Sequence, residues 1–244
     1  MVRAAPSRDR LLRCFGTLLA LLAASPASAQ GLTILPIAIH MAAGQMATTL
    51  TVINQDDREI SFQVRPFAWS QQDGTDRLTA TNDLVASPPL GTIAAGRTQV
   101  VRLVLRRSPQ GREATYRILL DQISPPGSPG TVHLALRLSL PIFAEPASRV
   151  VPHLQWHIES GGGQSSLVAV NDGGQHDTIR NIALTSGGSV GLKLDVHGSP
   201  YVLAGDTHRW RILGSAPASG GPPRLTALCD SGPIDQVVPV GAVQ

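Results

Sequence analysis

The sequence predicts an all-β protein built as two sandwiches, and three observations carry that prediction. Glycine and proline are frequent, at 24 and 19 of 244 residues, and they punctuate short apolar runs at the spacing of turns between strands. No capped segment of helical period interrupts those runs. The third observation is the stretch Thr131 to Phe143. Here Val132, Leu134, Leu136, Leu138, Leu140 and Ile142 share one parity, while Thr131, His133, Ala135, Arg137 and Ser139 share the other. That alternation is the period-two signature of a strand. At roughly 3.3 Å per residue it would extend about 40 Å, when a usual strand has about five or six residues. Pro141 cannot donate to a ladder and suits an edge or a bend, so part of this strand is expected to border open space. A long apolar edge invites pairing by another chain, although the pattern equally allows all six apolar residues to face the protein's own core.

The first residues belong to a different category. Arg3, Arg8, Arg10 and Arg13 precede the apolar run Leu18 to Ala24, and Ala27-Ser28-Ala29 has the small-x-small form of a signal-peptidase site. Residues 1–29 therefore read as a cleavable secretory signal peptide, with the mature chain starting at Gln30. The apolar run is too short for a membrane-spanning helix, and no later segment offers about 20 uninterrupted apolar residues, so no membrane span is expected in the mature chain. The 20 Lys and Arg and 17 Asp and Glu include four Arg and one Asp of the leader, which leaves sixteen of each. With that balance there is no charge-based reason to expect nucleic acid or anionic lipid as a partner. Cys14 leaves with the leader and Cys229 stands alone, so neither an intramolecular disulfide nor a CxxC redox pair is expected.

About 215 mature residues suit two sandwiches of about 100 residues each. In the first half, Leu32 to His40 carries Ile34, Ile37 and Ile39 around Pro36, an edge strand with a switch or break at the proline. Thr48 to Asn54 and Ile60 to Trp69 read as a pair joined by the polar turn Gln55-Asp56-Asp57-Arg58. Leu78, Leu84 and Ser87-Pro88-Pro89-Leu90 sit in a looser connection. Ala95-Gly96 turns into Gln99 to Leu105, and Tyr116 to Ile123 follows a polar loop. A Pro/Gly/Ser loop over 124–130 then leads into the long strand. About seven strands result, enough for one immunoglobulin-like sandwich.

The boundary is placed near Pro146-Ala147-Ser148-Arg149, giving domains of 30–147 and 148–244. Beyond it the rhythm restarts with Leu154 to Ile158, Ser166 to Asn171, Ile179 to Thr185, Leu192 to Val196, Arg209 to Leu213 and Arg224 to Leu228, closing at Val237 to Val240. Gly161-Gly162-Gly163, Asp172-Gly173-Gly174, Gly187-Gly188 and Gly220-Gly221-Pro222-Pro223 punctuate it. This half reads as a second, smaller β-sandwich.

Four stretches of the first half, taken in order, carry a resemblance. They are Val52-Ile53-Asn54; Ser87-Pro88-Pro89-Leu90 with Ala95-Gly96 and Gln99-Val100-Val101-Arg102-Leu103; Glu113-Ala114-Thr115-Tyr116-Arg117-Ile118 leading to Ile123 and Pro125; and Leu140-Pro141-Ile142-Phe143 with Pro146. In the second half Trp156, Val170-Asn171, Tyr201-Val202-Leu203-Ala204-Gly205 and Trp210 add to them. The chain resembles periplasmic chaperones of the chaperone–usher pilus-assembly family, the PapD-like proteins. Trp69-Ser70-Gln71 and Leu140-Pro141-Ile142-Phe143 look most like the archaic branch.

The resemblance implies two immunoglobulin-like domains at an angle around a cleft, a periplasmic location, no chemical reaction and no cofactor. It also implies two partners, a pilin-type subunit and an outer-membrane usher. In that family the last strand of the first domain is lent to an incomplete pilin sandwich, a form of β-strand addition. Aligned through Pro141-Ile142-Phe143, the inserted side chains would be Val132, Leu134 and Leu136, the parity already read from the pattern. Two departures stand out. Where most members anchor the pilin's terminal carboxylate with an Arg and a Lys, this chain aligns Pro36 and Pro141. A carboxylate in a cleft still needs a charge-assisted donor, and Arg117, inside an apolar strand, is the first candidate, followed by Arg102 and Arg137. Glu145 stands where relatives carry an Arg before the boundary proline, so their interdomain salt bridge is expected to be absent or reversed.

Two other classes fit the sequence less well. An enzyme is disfavoured because the seven His and the Ser and Asp residues form no HExxH, no GxSxG and no close His pair with a carboxylate. His153 and His157, four apart on a strand, would lie about 13 Å from each other, too far to share a metal ion. A secreted immunoglobulin-like structural or binding protein of the cell surface shares the leader and the composition, but a complete set of strands in each half argues for a helper over a polymerising subunit.

Overall fold

The computed structural model describes residues 31–72, 74–123, 135–186, 190–214 and 222–242, and these contain no helix. Among the described residues, ten strands form the first half: β1 (Leu32–Leu35), β2 (Ile39–Met41), β3 (Ala47–Asn54), β4 (Ile60–Gln72), β5 (Thr75–Ala80), β6 (Leu84–Ser87), β7 (Leu90–Ile93), β8 (Thr98–Leu105), β9 (Ala114–Ile123) and β10 (Arg137–Ala144). β1, β3, β8 and β6 make a four-stranded sheet in that order. β2, β10, β9, β4 and β5 make the facing sheet, with β7 also paired to β4. One parity of each strand fills the space between them. Leu50 and Val52 of β3, Val101 and Leu103 of β8, Phe62 and Val64 of β4, and Ile118 and Leu120 of β9 are all buried in one cluster. Each such side chain contributes about 1.5–3 kcal/mol on burial.

The break expected at Pro36 is a change of sheet. β1 pairs antiparallel with β3, and β2, three residues after the proline begins its turn, pairs parallel with β10. The hairpin expected between Thr48–Asn54 and Ile60–Trp69 is not one. β3 has β1 and β8 as neighbours and β4 has β5, β7 and β9, so the polar turn at 55–58 is an arch from one sheet to the other. Hairpins and arches both want polar turn residues, so local chemistry does not separate them. Buried Asn54 ties the arch: its amide donates to the carbonyls of Arg58 at 2.7 Å and Ile93 at 2.9 Å, while its Oδ1 accepts from the Asp56 N–H at 2.9 Å. The connection read as loose contains three short strands. β5 is exposed at every position, and β6 and β7 have four residues each, so none had an apolar alternation long enough to register.

Among the described residues the long strand begins at Arg137. Thr131 to Leu134, with Val132, His133 and Leu134, lie outside the described residues, and the ladder with β9 runs from Arg137 to Ala144. Leu138, Leu140 and Ile142 pack into the first core. The apolar parity that drew attention to this stretch therefore serves the protein's own core from Leu138 onward.

Among the described residues, nine strands form the second half: β11 (Leu154–Gly161), β12 (Gln164–Asn171), β13 (Asp177–Ser186), β14 (Val190–Leu194), β15 (Tyr201–Val202), β16 (Thr207–Leu213), β17 (Arg224–Cys229), β18 (Gly232–Val237) and β19 (Val240–Ala242). They join in the order β18-β17-β13-β14-β16-β12-β11-β19, with β15 on β13, and β14 bridges the two faces by pairing with both β13 and β16. Trp156 and Trp210 stack at 5.5 Å inside a core that also holds Ile158, Leu167, Leu184, Leu225 and Cys229. Burial, with Asp177 and Asp230 nearby, pushes the Cys229 thiol up to about 12, so it is an inert core residue. Asn171 repeats the part of Asn54. Its amide donates to the carbonyls of Gln175 and Val202, and its Oδ1 accepts from the N–H of His153 and of Gly173.

Residues 145–153 run between β10 and β11 and pack on the turn after β12. A Cβ on Gly173 would lie 2.4 Å from the His153 nitrogen and 2.5 Å from the Val151 carbonyl oxygen, so any side chain there would push the segment away. Glu145 donates its backbone N–H to Met41 at 2.9 Å. A buried hydrogen-bonded pair between the halves is formed elsewhere, by Glu113 and His176. His153 and His157 each face a separate carboxylate, Asp172 and Glu159.

Candidate functional site

β4 changes the face it buries along its length. Ile60, Phe62 and Val64 point into the first core, whereas Trp69 and Gln71, on the opposite parity, are buried on the other side of the sheet. β10 does the same: Leu140 and Ile142 face the core, and Phe143 joins Trp69 and Leu203 in a separate cluster against which Tyr201 packs. Burial on both faces of a strand means that another layer covers it, and here that layer is the second half of the chain.

Polar groups fix this contact. Gln71 donates its side-chain amide to the Tyr201 carbonyl at 2.8 Å and to Asp76 at 3.1 Å, and its Oε1 accepts from the Leu203 N–H at 3.0 Å. The Gln71 backbone N–H donates to the Asp206 carboxylate at 2.7 Å. Burial raises the Asp206 carboxyl above its usual range, with that N–H acting in the opposite direction. A few residues away, Glu113 Oε2 accepts from His176 twice, from the backbone N–H at 3.0 Å and from Nδ1 at 2.7 Å. The Glu113 side chain is 1% exposed and that of His176 6%. The His176 ring also lies flat on Phe143, with centroids 3.6 Å apart and planes 10° from parallel.

Arg117 stands at the mouth of this contact, on β9, directly across the ladder from Pro141 of β10 and from Phe67 of β4. Its guanidinium carbon is 3.7 Å from the centroid of the Trp69 ring and 5.8 Å from that of Tyr201, and its side chain is 13% exposed. Nη2 lies 3.6 Å from Asp76 Oδ2 and 3.5 Å from Ser199 Oγ. Burial lowers the Arg117 pKa while Asp76 and Tyr201 oppose that shift, and a guanidinium in this position stays charged. A desolvated cation over an indole is held by about 2 kcal/mol. The group fronts a cavity of about 400 Å³ bordered by Asp76, Ser139, Ser199 and Tyr201.

That cavity adjoins an unpaired edge. β2 covers β10 only from Ile142 to Ala144, so among the described residues Arg137 to Pro141 have β9 on one side and no strand on the other. The Gln122 N–H donates to the Leu136 carbonyl at 2.8 Å, so residues of Leu136 parity bond to β9 and the N–H groups of Arg137 and Ser139 point outward. Pro141 shares that outward parity, where its missing donor removes no ladder bond. Leu136 continues the face of Leu138 and Leu140 beyond the sandwich and is 44% exposed.

The other two anchor candidates lie elsewhere. Arg102 is exposed on β8 of the four-stranded sheet. Arg137 is engaged at the base of β10 by Asp121, which also accepts from Arg65 at 2.6 Å. Burial alone would raise the Asp121 carboxyl, but the hydrogen bonds from Arg137 and Arg65 outweigh it and hold it below the usual range. The sequence reading missed Asp76, Ser199 and the Glu113–His176 pair. Asp76 sits in an unpatterned edge strand, and the rest are brought together only by the packing of the two halves. Among the described residues no three His, Cys, Asp or Glu are placed to hold a metal ion, and no helix is long and apolar enough to cross a membrane.

Comparison with known proteins bears on what this cleft serves. The family described as pili and flagellar-assembly chaperone, PapD N-terminal domain, matches residues 31–149, which span β1 to β10. Through that match the first half of the chain belongs to the pilus-assembly chaperone family. Solved structures agree over both halves. The chaperone–tip adhesin subunit pre-assembly complex CsuC–CsuE, from archaic chaperone–usher Csu pili of Acinetobacter baumannii, is similar at 24% identity and a TM-score of 0.65, covering 88% of this chain and 100% of that one. The SafB chaperone structure with the SafA pilin of Salmonella enterica is similar at 18% identity and a TM-score of 0.59, covering 86% and 97%. The DraB chaperone of E. coli is similar at 18% and 0.56, covering 86% and 97%. No curated protein matches the chain in sequence. The chain is thus an all-β protein of two immunoglobulin-like sandwiches, with the fold of pilus-assembly chaperones over both halves.

Proposed function

We propose that this chaperone captures a pilin-type subunit by lending it the outward edge of β10 and the segment before it, with Arg117 receiving the subunit's terminal carboxylate. The observation that carries this reading is the position of Arg117 directly across from Pro141. Pro36 and Pro141 stand where relatives place their anchoring cations, and here the positive charge comes from the neighbouring strand, facing the same cavity and the same open edge. Val132, Leu134 and Leu136 are the side chains proposed to fill the subunit's groove, each contributing about 1.5–3 kcal/mol if fully buried there. The chain would act in the periplasm after loss of residues 1–29, with domains of 30–147 and 148–244, and pass its subunit to an outer-membrane usher. The Trp69-Ser70-Gln71 and Leu140-Pro141-Ile142-Phe143 segments favour the archaic branch.

Affinity capture of the tagged chaperone from the periplasm of its host tests this. A small secreted β-protein in one-to-one ratio is expected, lost when Leu136→Asp puts a charge in the donor segment. Equal recovery by the variant would contradict the reading.

A further inference from the structure

We infer that Asp76 is a resident carboxylate of the cleft, one that holds Arg117 while the cleft is empty and yields it to the carboxylate of an incoming chain, so that Asp76 sets how tightly that carboxylate is held. The inference rests on the reading of Arg117 as anchor. Its first ground is geometry. Asp76 Oδ2 is 3.6 Å from Arg117 Nη2, and Ser199 Oγ is 3.5 Å from the same atom. Both exceed the roughly 2.7–2.9 Å of a charge-assisted hydrogen bond between a guanidinium and a carboxylate. By contrast, Arg65 reaches Asp121 at 2.6 Å with a second bond from Nε at 3.2 Å. Arg117 is fixed from behind by the Trp69 ring, yet its fork is loosely occupied in front.

The second ground is that Asp76 has somewhere else to go. Its other oxygen, Oδ1, already accepts from Gln71 Nε2 at 3.1 Å, so the carboxylate keeps a donor when Arg117 turns to a new partner. It also sits on β5, an edge strand exposed at every residue and paired to β4 on one side. An edge strand gives by small shifts more readily than the covered β9 that carries Arg117. Two carboxylates facing one guanidinium repel each other, so the entering group must either share the cation or move Asp76 aside. Removing the resident charge should therefore strengthen binding, the reverse of what loss of a merely supportive ion pair would do.

Trp69 reports on the event, because Arg117 lies against its ring at 3.7 Å. Trp156 and Trp210 are stacked in the other core and supply a constant background. The experiment is a fluorescence titration of the mature chaperone with sodium acetate at constant ionic strength, with acetamide as the uncharged control, on the wild type and on the D76N, R117Q and doubly substituted chains. D76N preserves the shape and the contact with Gln71. The acetate midpoint is expected to fall at least about five-fold in D76N, with no response to acetamide and none to acetate in either chain carrying R117Q. An unchanged midpoint in D76N, with R117Q still silent, would overturn the role of Asp76 and leave the anchor standing. An R117Q chain that responds as the wild type does would overturn the anchor reading itself.

Discussion

Replacing His176 by Ala should cost the folded chaperone about 1–3 kcal/mol, the range for leaving a buried hydrogen-bonding group without its partner, and lower its melting temperature by roughly 5 °C for a chain of this size. The expectation follows from what the imidazole leaves behind. Glu113 has a side chain that is 1% exposed, and its Oε1 has no hydrogen-bond partner among the described residues. Without the ring, Oε2 retains the backbone N–H of residue 176 as donor, and a buried carboxylate so poorly paired is expensive. The flat contact with Phe143 at 3.6 Å is lost as well. Glu113→Gln should cost less, because an amide is cheaper to bury than a carboxylate, and the double substitution should cost less than the sum of the two. Equilibrium urea unfolding followed by tryptophan fluorescence measures all three chains. Additive losses, or a loss below about 1 kcal/mol for His176→Ala, would mean that the pair does not hold the two halves together. The pair also bears on function, since Phe143 belongs to β10 and lies two residues beyond Pro141.

Arg117→Ala should leave the fold intact and abolish recoverable complex with the subunit. A guanidinium that makes two charge-assisted bonds to a carboxylate contributes about 1.5–3 kcal/mol through each, so the loss in affinity is expected to be about 100-fold or more. Arg117→Lys should recover a small part of it: the charge remains, but the planar fork and its stacking on Trp69 do not. Co-purification yield and the dissociation rate of the complex are the readouts. A variant that captures subunit at the wild-type yield would remove Arg117 from the anchor role.

How far the sequence anticipates these features depends on whether they are local. The strands with long alternations were legible within a residue or two: Thr48–Asn54 lies within β3, Gln99–Leu105 within β8, and Tyr116–Ile123 within β9. Their period is a property of a single segment. The sheet to which each strand belongs is not. The arch after Asn54 looked like a hairpin because both need the same polar turn, and β5 offered no pattern because all its residues are exposed. Arg117 stood out as a lone charge in the apolar run Tyr116-Arg117-Ile118, and that contrast survives in its burial over Trp69. Arg102 shares the same contrast with its neighbours, yet its strand lies in the other sheet, a fact that no local pattern contains. The Glu113–His176 pair spans 63 residues of sequence and depends on how the two halves meet.

The most direct test of the account is amide hydrogen exchange on β10, measured by NMR on the chaperone alone and on the complex with its captured subunit. Gln122 and Leu136 fix the parity of the ladder, so the N–H groups of Arg137 and Ser139 point away from β9. In the free protein they should exchange quickly, while those of Leu138 and Leu140 are protected by β9. If a subunit strand adds to this edge, Arg137 and Ser139 should become protected by about 100-fold or more in the complex, the change expected when an exposed amide enters a ladder. Unchanged exchange at both residues in a stable one-to-one complex would contradict the account, because the subunit would then be held somewhere other than the open edge of β10.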